Sequence, residues 1–137
     1  MKQKFEDNAY FHFHNANPKG KKACDCVIRA ISVALGQTWE KTYREMAELG
    51  IKMGFILNEK HVEEAYLKSK GWEKMKEPRK SDNTKMDIRR FIDRESPRED
   101  LIVYAGSHHV SLIRGKKVWD TWDCSHETMH TYYVKVR

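Results

Sequence analysis

Cys26 is the residue of this 137-residue chain whose type and position are best suited to nucleophilic chemistry. It follows Asp25 and opens an apolar run that ends at Gly36, a pattern that predicts a helix over 26–35 with Asp25 as its cap. A cysteine in the first helical turn lies near unpaired backbone N–H groups and the positive end of the helix dipole. Both favour the thiolate, although buried free cysteines are also common as inert core residues.

A base and an orienting carboxylate lie in two strand patterns that flank Arg114-Gly115, where a tight hairpin turn is expected. With these two residues as the loop, His109 lies opposite Asp120. Shifting the loop by one residue toward the C terminus puts His109 opposite Trp122 and leaves Asp120 on the diagonal. Either register predicts that His109 and Asp120 share one face, because side chains alternate along a strand. Such a carboxylate fixes the tautomer of the imidazole and stabilises the imidazolium.

Two neighbouring residues are the alternatives to this pair. His108 points to the opposite face of its strand pattern and lies in the approach to it. Asp123 also falls on the other face and is typical of a turn. The alternation therefore favours His109 as the base and Asp120 as its orienter.

The remaining thiols, Cys24 and Cys124, bring the cysteine count to three, which is unsuited to a complete disulfide framework. Cys24 is interpreted as a bystander that could pair with Cys124 or protect the site under oxidation. Together with His108 or His109, the cysteines have the ligand types of a zinc site. The spacing of Cys24 and Cys26 does not suit the common zinc geometry, however, and the chain offers no second well-spaced pair of ligands. The sequence therefore predicts no metal and no cofactor.

The formal net charge of +6 permits an anionic partner without requiring one. Basic and acidic residues are mixed, as over 68–77, and this pattern indicates solvated helix faces. Nucleic acid is weakly supported as a partner because the sequence contains no zinc-finger, RNA-binding or helix-turn-helix signature. No apolar stretch is long enough to span a bilayer, and the first eight residues lack the apolar core of a signal peptide. A cytoplasmic protein without a membrane partner is the expectation.

The elements that must position these side chains form a single predicted α+β domain over residues 1–137. An extended lead-in covers residues 1–23, and helices occupy most of the chain as far as Ser96-Pro97. From Leu101 onward, β-branched and aromatic residues alternate with a period of two, which predicts sequential antiparallel strands. Further helices are expected after the capping residues Thr38, Asn58 and Thr84, and strands over 72–76, 101–104, 109–113, 117–122 and 131–136.

A nucleophile on an early helix, followed by a base and an orienter on adjacent strands, resembles the papain-like cysteine hydrolases. The resemblance is closest to compact bacterial and phage members such as the double-glycine leader peptidases. Asp25-Cys26, His109-Val110 and Asp120 match their motifs, and residues 17–20, 25–30 and 120–123 also look like small phage-encoded proteins of this group. The resemblance implies a papain-like fold, with a central N-terminal helix packed with further helices on a C-terminal antiparallel sheet, and a phage or prophage origin.

The activity that this resemblance implies is that of a thiol peptidase or isopeptidase acting on a protein or peptide substrate. In one respect the chain departs from the family, which usually carries a glutamine upstream of the nucleophile for the oxyanion hole. No glutamine lies between Lys4 and Cys26. Asn17 is the predicted replacement, with Asn15 as the alternative, and the Cys26 backbone N–H supplies a second donor. Trp122 is predicted to contribute to the wall of the substrate groove.

Two other functions use the same residues. Deamidation or transamidation requires the same nucleophile and base as hydrolysis. A catalytically weak or inactive papain-fold protein would instead bind a host protein or an anionic ligand. Lys19, Lys21 and Lys22, which lie shortly before Cys26, suit this binding role.

Overall fold

The chain folds into four helices and six strands in a computed structural model that describes residues 6–136. The predicted α+β class is confirmed, whereas residues 1–5 of the predicted lead-in lie outside the described part of the chain. The helices are α1 (Cys26–Leu35), α2 (Trp39–Met53), α3 (Lys60–Ser69) and α4 (Ile88–Glu95). The strands are β1 (Phe11–Phe13), β2 (Trp72–Met75), β3 (Leu101–Ala105), β4 (His109–Arg114), β5 (Lys117–Asp120) and β6 (Met129–Lys135).

The six strands form one sheet in the order β1-β5-β4-β3-β6-β2. β1 pairs in parallel with β5, while the other neighbours are antiparallel. The C-terminal strands β3–β6 pair antiparallel as predicted. The whole sheet is mixed, because β1 from the lead-in adds a parallel strand at one edge. Phe11 explains this addition, since its side chain is fully buried against the sheet core and burying a phenylalanine stabilises a fold by about 1.5–3 kcal/mol.

Helix α1 lies against β4 and β3 and also contacts α2. Its apolar side chains on several faces, among them Val27, Ile28 and Ile31, are buried. The helix begins and ends at the predicted residues. Gly36 ends it with a φ of +66°, in the left-handed region that glycine adopts readily. This arrangement holds the start of α1 at one end of β4.

The sheet separates two apolar cores. Ile102 and Leu112 face the core that contains α1, whereas their neighbours Val103 and Ile113 face the core that contains α4. This alternation is the period of two that the sequence displays from Leu101 onward.

Two helix starts differ from the predicted ones. Asp87 caps α4 by accepting a hydrogen bond from the Arg90 N–H at 2.8 Å, so the helix begins later than a Thr84 cap would place it. Glu59 takes the capping position of α3 expected for Asn58. Helix α2 continues past Gly50, where the Phe55 carbonyl approaches so closely that a Cβ would lie 2.6 Å from its oxygen.

The longest described helix, α2, has 15 residues. No helix among residues 6–136 has the length and apolar character needed to cross a membrane.

The hairpin between β4 and β5 adopts the second of the two predicted registers. Gly115 and Lys116 form its loop with φ values of +59° and +65°, as a type I′ turn requires. Leu112 consequently pairs with Trp119, and continuation of this register places Ser111 beside Asp120. His109 is then diagonal to Asp120.

Candidate active site

The backbone pairing of β4 and β5 runs from the hairpin loop as far as Leu112 and Trp119. Beyond that pair, side chains connect the two strands. Ser111 Oγ donates a hydrogen bond to Asp120 Oδ2 at 2.6 Å, and His109 Nε2 lies 2.6 Å from the same oxygen. The structure thus brings the predicted base and its predicted orienter into direct contact.

The Asp120 carboxylate is buried and surrounded by donors. Its Oδ1 accepts the Thr121 N–H at 2.7 Å, and its Oδ2 accepts a third contact from Cys124 Sγ at 3.6 Å. Burial alone would raise the pKa of Asp120. The hydrogen bonds and charge of His109, with the donors Ser111 and Thr121, outweigh that effect and hold the pKa below its ordinary value. The site therefore stabilises an ionised carboxylate.

Two thiols, those of Cys124 and Cys26, are within hydrogen-bonding reach of the His109 imidazole. Burial opposes its protonation, but the hydrogen bonds with Asp120, Cys124 and Cys26 outweigh that effect and raise the pKa of His109 well above its usual range. Because Nε2 faces Asp120, Nδ1 is the ring nitrogen left to exchange a proton with a thiol. Trp122 packs against the ring with centroids 4.9 Å apart.

Cys26 is partly exposed at the first position of α1, and the preceding Asp25 does not cap the helix. The Asp25 carboxylate instead accepts hydrogen bonds from Asn17 Nδ2 at 3.1 Å and Trp39 Nε1 at 2.9 Å. Arg29 Nε lies 3.2 Å from its other oxygen as an ion pair without hydrogen-bond alignment. The predicted capping role of Asp25 is therefore wrong. Because the Asp25 carboxylate binds Asn17 and Trp39, the first-turn N–H groups near Cys26 have no side-chain cap.

Arg29 connects helix α1 to the end of β5. Its Nη1 donates to Thr121 Oγ1 at 3.2 Å, and its Nη2 lies 3.8 Å from Asp120 Oδ1. The side chain is only 12 % exposed. One cation thus links α1 to the carboxylate of Asp120 and to Thr121. Its sequence signal is a single basic residue within an otherwise apolar helix.

The predicted oxyanion side chain, Asn17, is buried beside Asp25. Its Oδ1 accepts the Lys19 N–H at 2.9 Å, so both ends of the amide contact residues of this loop. The alternative, Asn15, lines the same cleft as Cys26. Its Oδ1 accepts the Asn17 N–H at 3.0 Å and its Nδ2 donates one hydrogen to the Lys21 carbonyl at 3.3 Å, which leaves the second Nδ2 hydrogen to donate. Asn17 is thus held by its hydrogen bond to Asp25, and of the two asparagines only Asn15 lines the cleft.

An open cleft of about 1250 Å³ runs past these groups. Cys26, His109 and Trp122 line it, and Glu63 and Tyr104 contribute to its wall. Its volume exceeds that of most small-ligand pockets. The three predicted groups that line it are therefore accessible to an extended substrate.

Cys124 is the member of this cluster whose role the sequence analysis did not identify. It is fully buried, and burial raises the pKa of its thiol to about 11. Cys24, by contrast, is exposed, and both thiols are free, so the disulfide considered between them is not formed. The proximity of Cys124 to Asp120 in the sequence was the available signal.

The ligand atoms of His109, Asp120 and Cys124 lie within 4.8 Å of one another and have the chemical types of metal ligands. The 2.6 Å separation of His109 Nε2 and Asp120 Oδ2 is shorter than the ~3.3 Å between ligands of a tetrahedral zinc ion. It is typical of a charge-assisted hydrogen bond. The cluster fits a hydrogen-bonded pair better than a metal centre.

The two residues rejected on sequence grounds occupy other positions. His108 is exposed in the turn before β4. Asp123 is buried, accepts a hydrogen bond from Asn8 Nδ2 at 3.0 Å and pairs with Arg89 at the same distance. It therefore anchors the loop after β5 and lies in a separate network from the His109–Asp120 pair.

Comparisons with protein-family models, with curated proteins and with solved structures found no match for this chain.

Proposed function

We propose that this protein is a papain-like cysteine hydrolase that catalyses acyl transfer from a peptide or isopeptide bond. The observation that carries the proposal is the 2.6 Å contact between His109 Nε2 and Asp120 Oδ2, with the Cys26 thiol within hydrogen-bonding reach of the same imidazole. A thiol at a helix start, an imidazole and a buried carboxylate in this order form a nucleophile, a base and an orienter.

In the proposed reaction, His109 Nδ1 holds the proton of Cys26, and the thiolate sulfur attacks the carbonyl carbon of the substrate. The C–N bond then breaks as His109 returns the proton to the leaving amine, which produces a thioester. Water attacks the thioester, His109 accepts a proton from it, and cleavage of the C–S bond releases the carboxylic acid and regenerates the thiolate beside the protonated His109. Asp120 keeps the imidazole oriented throughout.

The developing oxyanion requires donors close to the sulfur. The Cys26 backbone N–H is one candidate, since the first-turn N–H groups have no partner inside the helix and Asp25 does not cap them. Asn15, on the wall of the same cleft, is the candidate for a side-chain donor. Losing one such donor costs about 10²–10³ in turnover in enzymes where it has been measured.

A protein or peptide is the proposed substrate because the cleft is open and large enough for an extended chain. Deamidation and transamidation use the same steps, with ammonia as the leaving group or an amine in place of water.

An inactive binding protein is the second candidate function. The observation that favours it is the exposed basic segment containing Lys19, Lys21 and Lys22, of which Lys22 lines the cleft. Such a surface suits an anionic ligand or an acidic protein partner. In that case the cleft would bind its partner without a reaction at Cys26.

Alkylation by iodoacetamide near pH 6, followed by peptide mass spectrometry, separates these functions. Cys26 should react faster than Cys24, which is exposed only two residues away and thus provides an internal control. A peptide mixture incubated with the wild type and with Cys26→Ala should then show cleavages that the variant lacks. Equal alkylation of Cys24 and Cys26, together with identical peptide profiles, would leave the binding role as the better explanation.

A further inference from the structure

Glu63 is the one carboxylate among the described residues that line the cleft holding Cys26 and His109. It lies on α3, and the residue is only 6 % exposed. Lys22, Arg29 and Lys60 supply the other ionised side chains of the lining outside the histidines. Among these cationic side chains, Glu63 is the one group of the described lining that can pair with an incoming cation.

Few groups around Glu63 compensate the negative charge of its carboxylate. Tyr104 Oη donates a hydrogen bond to Glu63 Oε1 at 2.6 Å, but this donor is neutral. Burial raises the pKa of Glu63 despite that hydrogen bond and the charge of Lys60. A buried carboxylate without a close cationic partner gains stability from any cation that reaches it.

The ring of Tyr104 is the second element of the site. Lys60 Nζ lies 5.8 Å from its centroid, within the range of a cation–π contact. Lys60 is exposed and lies almost one helical turn before Glu63. The ring face thus accepts an ammonium group from a side chain that is free to move into solvent.

We propose that Glu63 and the Tyr104 ring form a subsite for a cationic group of the substrate, a lysine ammonium or an arginine guanidinium. This inference rests on the proposed function, because the same cleft presents Cys26 to the substrate. The incoming cation displaces the Lys60 ammonium from the ring and pairs with the carboxylate. A basic residue at one position would then determine which bond is placed at the thiol.

If Glu63 had a purely structural role, it would connect α3 to β3 through its hydrogen bond with Tyr104. That role predicts lower stability for Glu63→Gln and no change in selectivity. The proposed subsite predicts a change in selectivity at Cys26, so the two roles are separable by experiment.

The test uses chloroacetamides with an aminoalkyl arm of increasing length, each paired with its neutral N-acetylated counterpart. Their rates of alkylation at Cys26 are measured by mass spectrometry. At the best arm length, the ratio of cationic to neutral rates should be about tenfold higher in the wild type than in Glu63→Gln. Lys60→Met should raise the ratio further because it removes the competing ammonium. Glu64→Gln, whose carboxylate pairs with Lys74 outside the cleft, is the matched control and should leave the ratio unchanged.

A second readout is independent of the thiol and of any variant. N-acetyl-arginine methylamide should shift the NMR signals of the backbone amides over 104–106 in the wild type, whereas its neutral citrulline analogue should not. This comparison remains decisive if Glu63→Gln does not fold.

The outcomes separate the two proposals. If Cys26 reacts rapidly with iodoacetamide but shows no preference for the cationic reagents, and the arginine and citrulline compounds behave alike, the subsite is refuted and the hydrolase proposal stands. If Cys26 is unreactive while the arginine compound still binds selectively, the subsite stands as a binding site and the hydrolase proposal fails.

Discussion

His109 Nε2 and Asp120 Oδ2 lie 2.6 Å apart in a largely buried pair, with 15 % and 3 % of their side chains exposed. The contact raises the pKa of the imidazole and lowers that of the carboxylate, so both groups are ionised at neutral pH. An imidazolium in contact with Cys26 stabilises a thiolate by its charge. This relationship makes the resting state of the site testable.

Replacing His109 by alanine should slow the alkylation of Cys26 near pH 6 by about tenfold or more, because the cation that favours the thiolate is lost. The measurement is the rate of iodoacetamide labelling by mass spectrometry. His108→Ala, at the exposed neighbouring position, is the control and should leave the rate nearly unchanged. A similar loss in both variants would argue against contact between Cys26 and His109 as the cause.

The His109–Asp120 pair should also make stability depend on pH. Since the pKa of His109 is raised on folding, its contribution is fully present below its unfolded pKa of about 6.5 and is lost as pH rises toward the folded value. The difference in unfolding free energy between the wild type and His109→Gln should therefore fall above pH 6.5, by at most about 1.4 kcal/mol per pH unit.

Urea denaturation at several pH values between 6 and 9 measures this difference. Ser107→Ala, at an exposed turn position, provides a variant that removes no titrating group. A difference for His109→Gln that stays constant, or increases with pH, would contradict the raised pKa.

Ser111 is expected to hold Asp120 in its ionised form. Ser111→Ala removes the 2.6 Å hydrogen bond to Asp120 Oδ2 and should destabilise the protein by about 1–3 kcal/mol near neutral pH. Because the pKa of Asp120 is lowered on folding, this contribution is present above its unfolded value of about 3.9 and is lost as pH falls through the folded value. Denaturation at pH 7 and in acid should show a penalty that shrinks in acid. An equal penalty at both would indicate a packing effect alone.

Cys124 should be protected from alkylation in the folded protein although it contacts the same imidazole as Cys26. Its side chain is fully buried, and burial raises the pKa of its thiol to about 11. Iodoacetamide should therefore label it only as urea unfolds the chain, which mass spectrometry of the labelled peptide would follow. Rapid labelling in native buffer would show that the core containing α4 opens locally.

Local patterns were sufficient to predict much of the fold. The ends of α1 follow from an apolar run bounded by Cys26 and Gly36, and the C-terminal strands follow from their period of two. The pairing of β1 was not predicted because a parallel edge strand depends on contacts distant in sequence. Phe11 is buried by a strand more than a hundred residues away.

The capping prediction for Asp25 failed for a similar reason. Its residue type favours a local hydrogen bond to the helix N–H groups. Trp39 and Asn17 approach the carboxylate from other parts of the chain and take that place. Propensity describes what a residue prefers alone, and tertiary neighbours supply competing partners.

By itself, the sequence determined that Cys26 opens a helix and that His109 and Asp120 share one strand face, because helical and strand periods are local properties of the chain. Only the tertiary structure decided which of the two hairpin registers is used. It also decided that Cys124 lies beside the His109 imidazole and that Glu63 lines the cleft. These relations arise when packing brings distant segments together. The same packing withdraws the water that would otherwise weaken their electrostatic interactions.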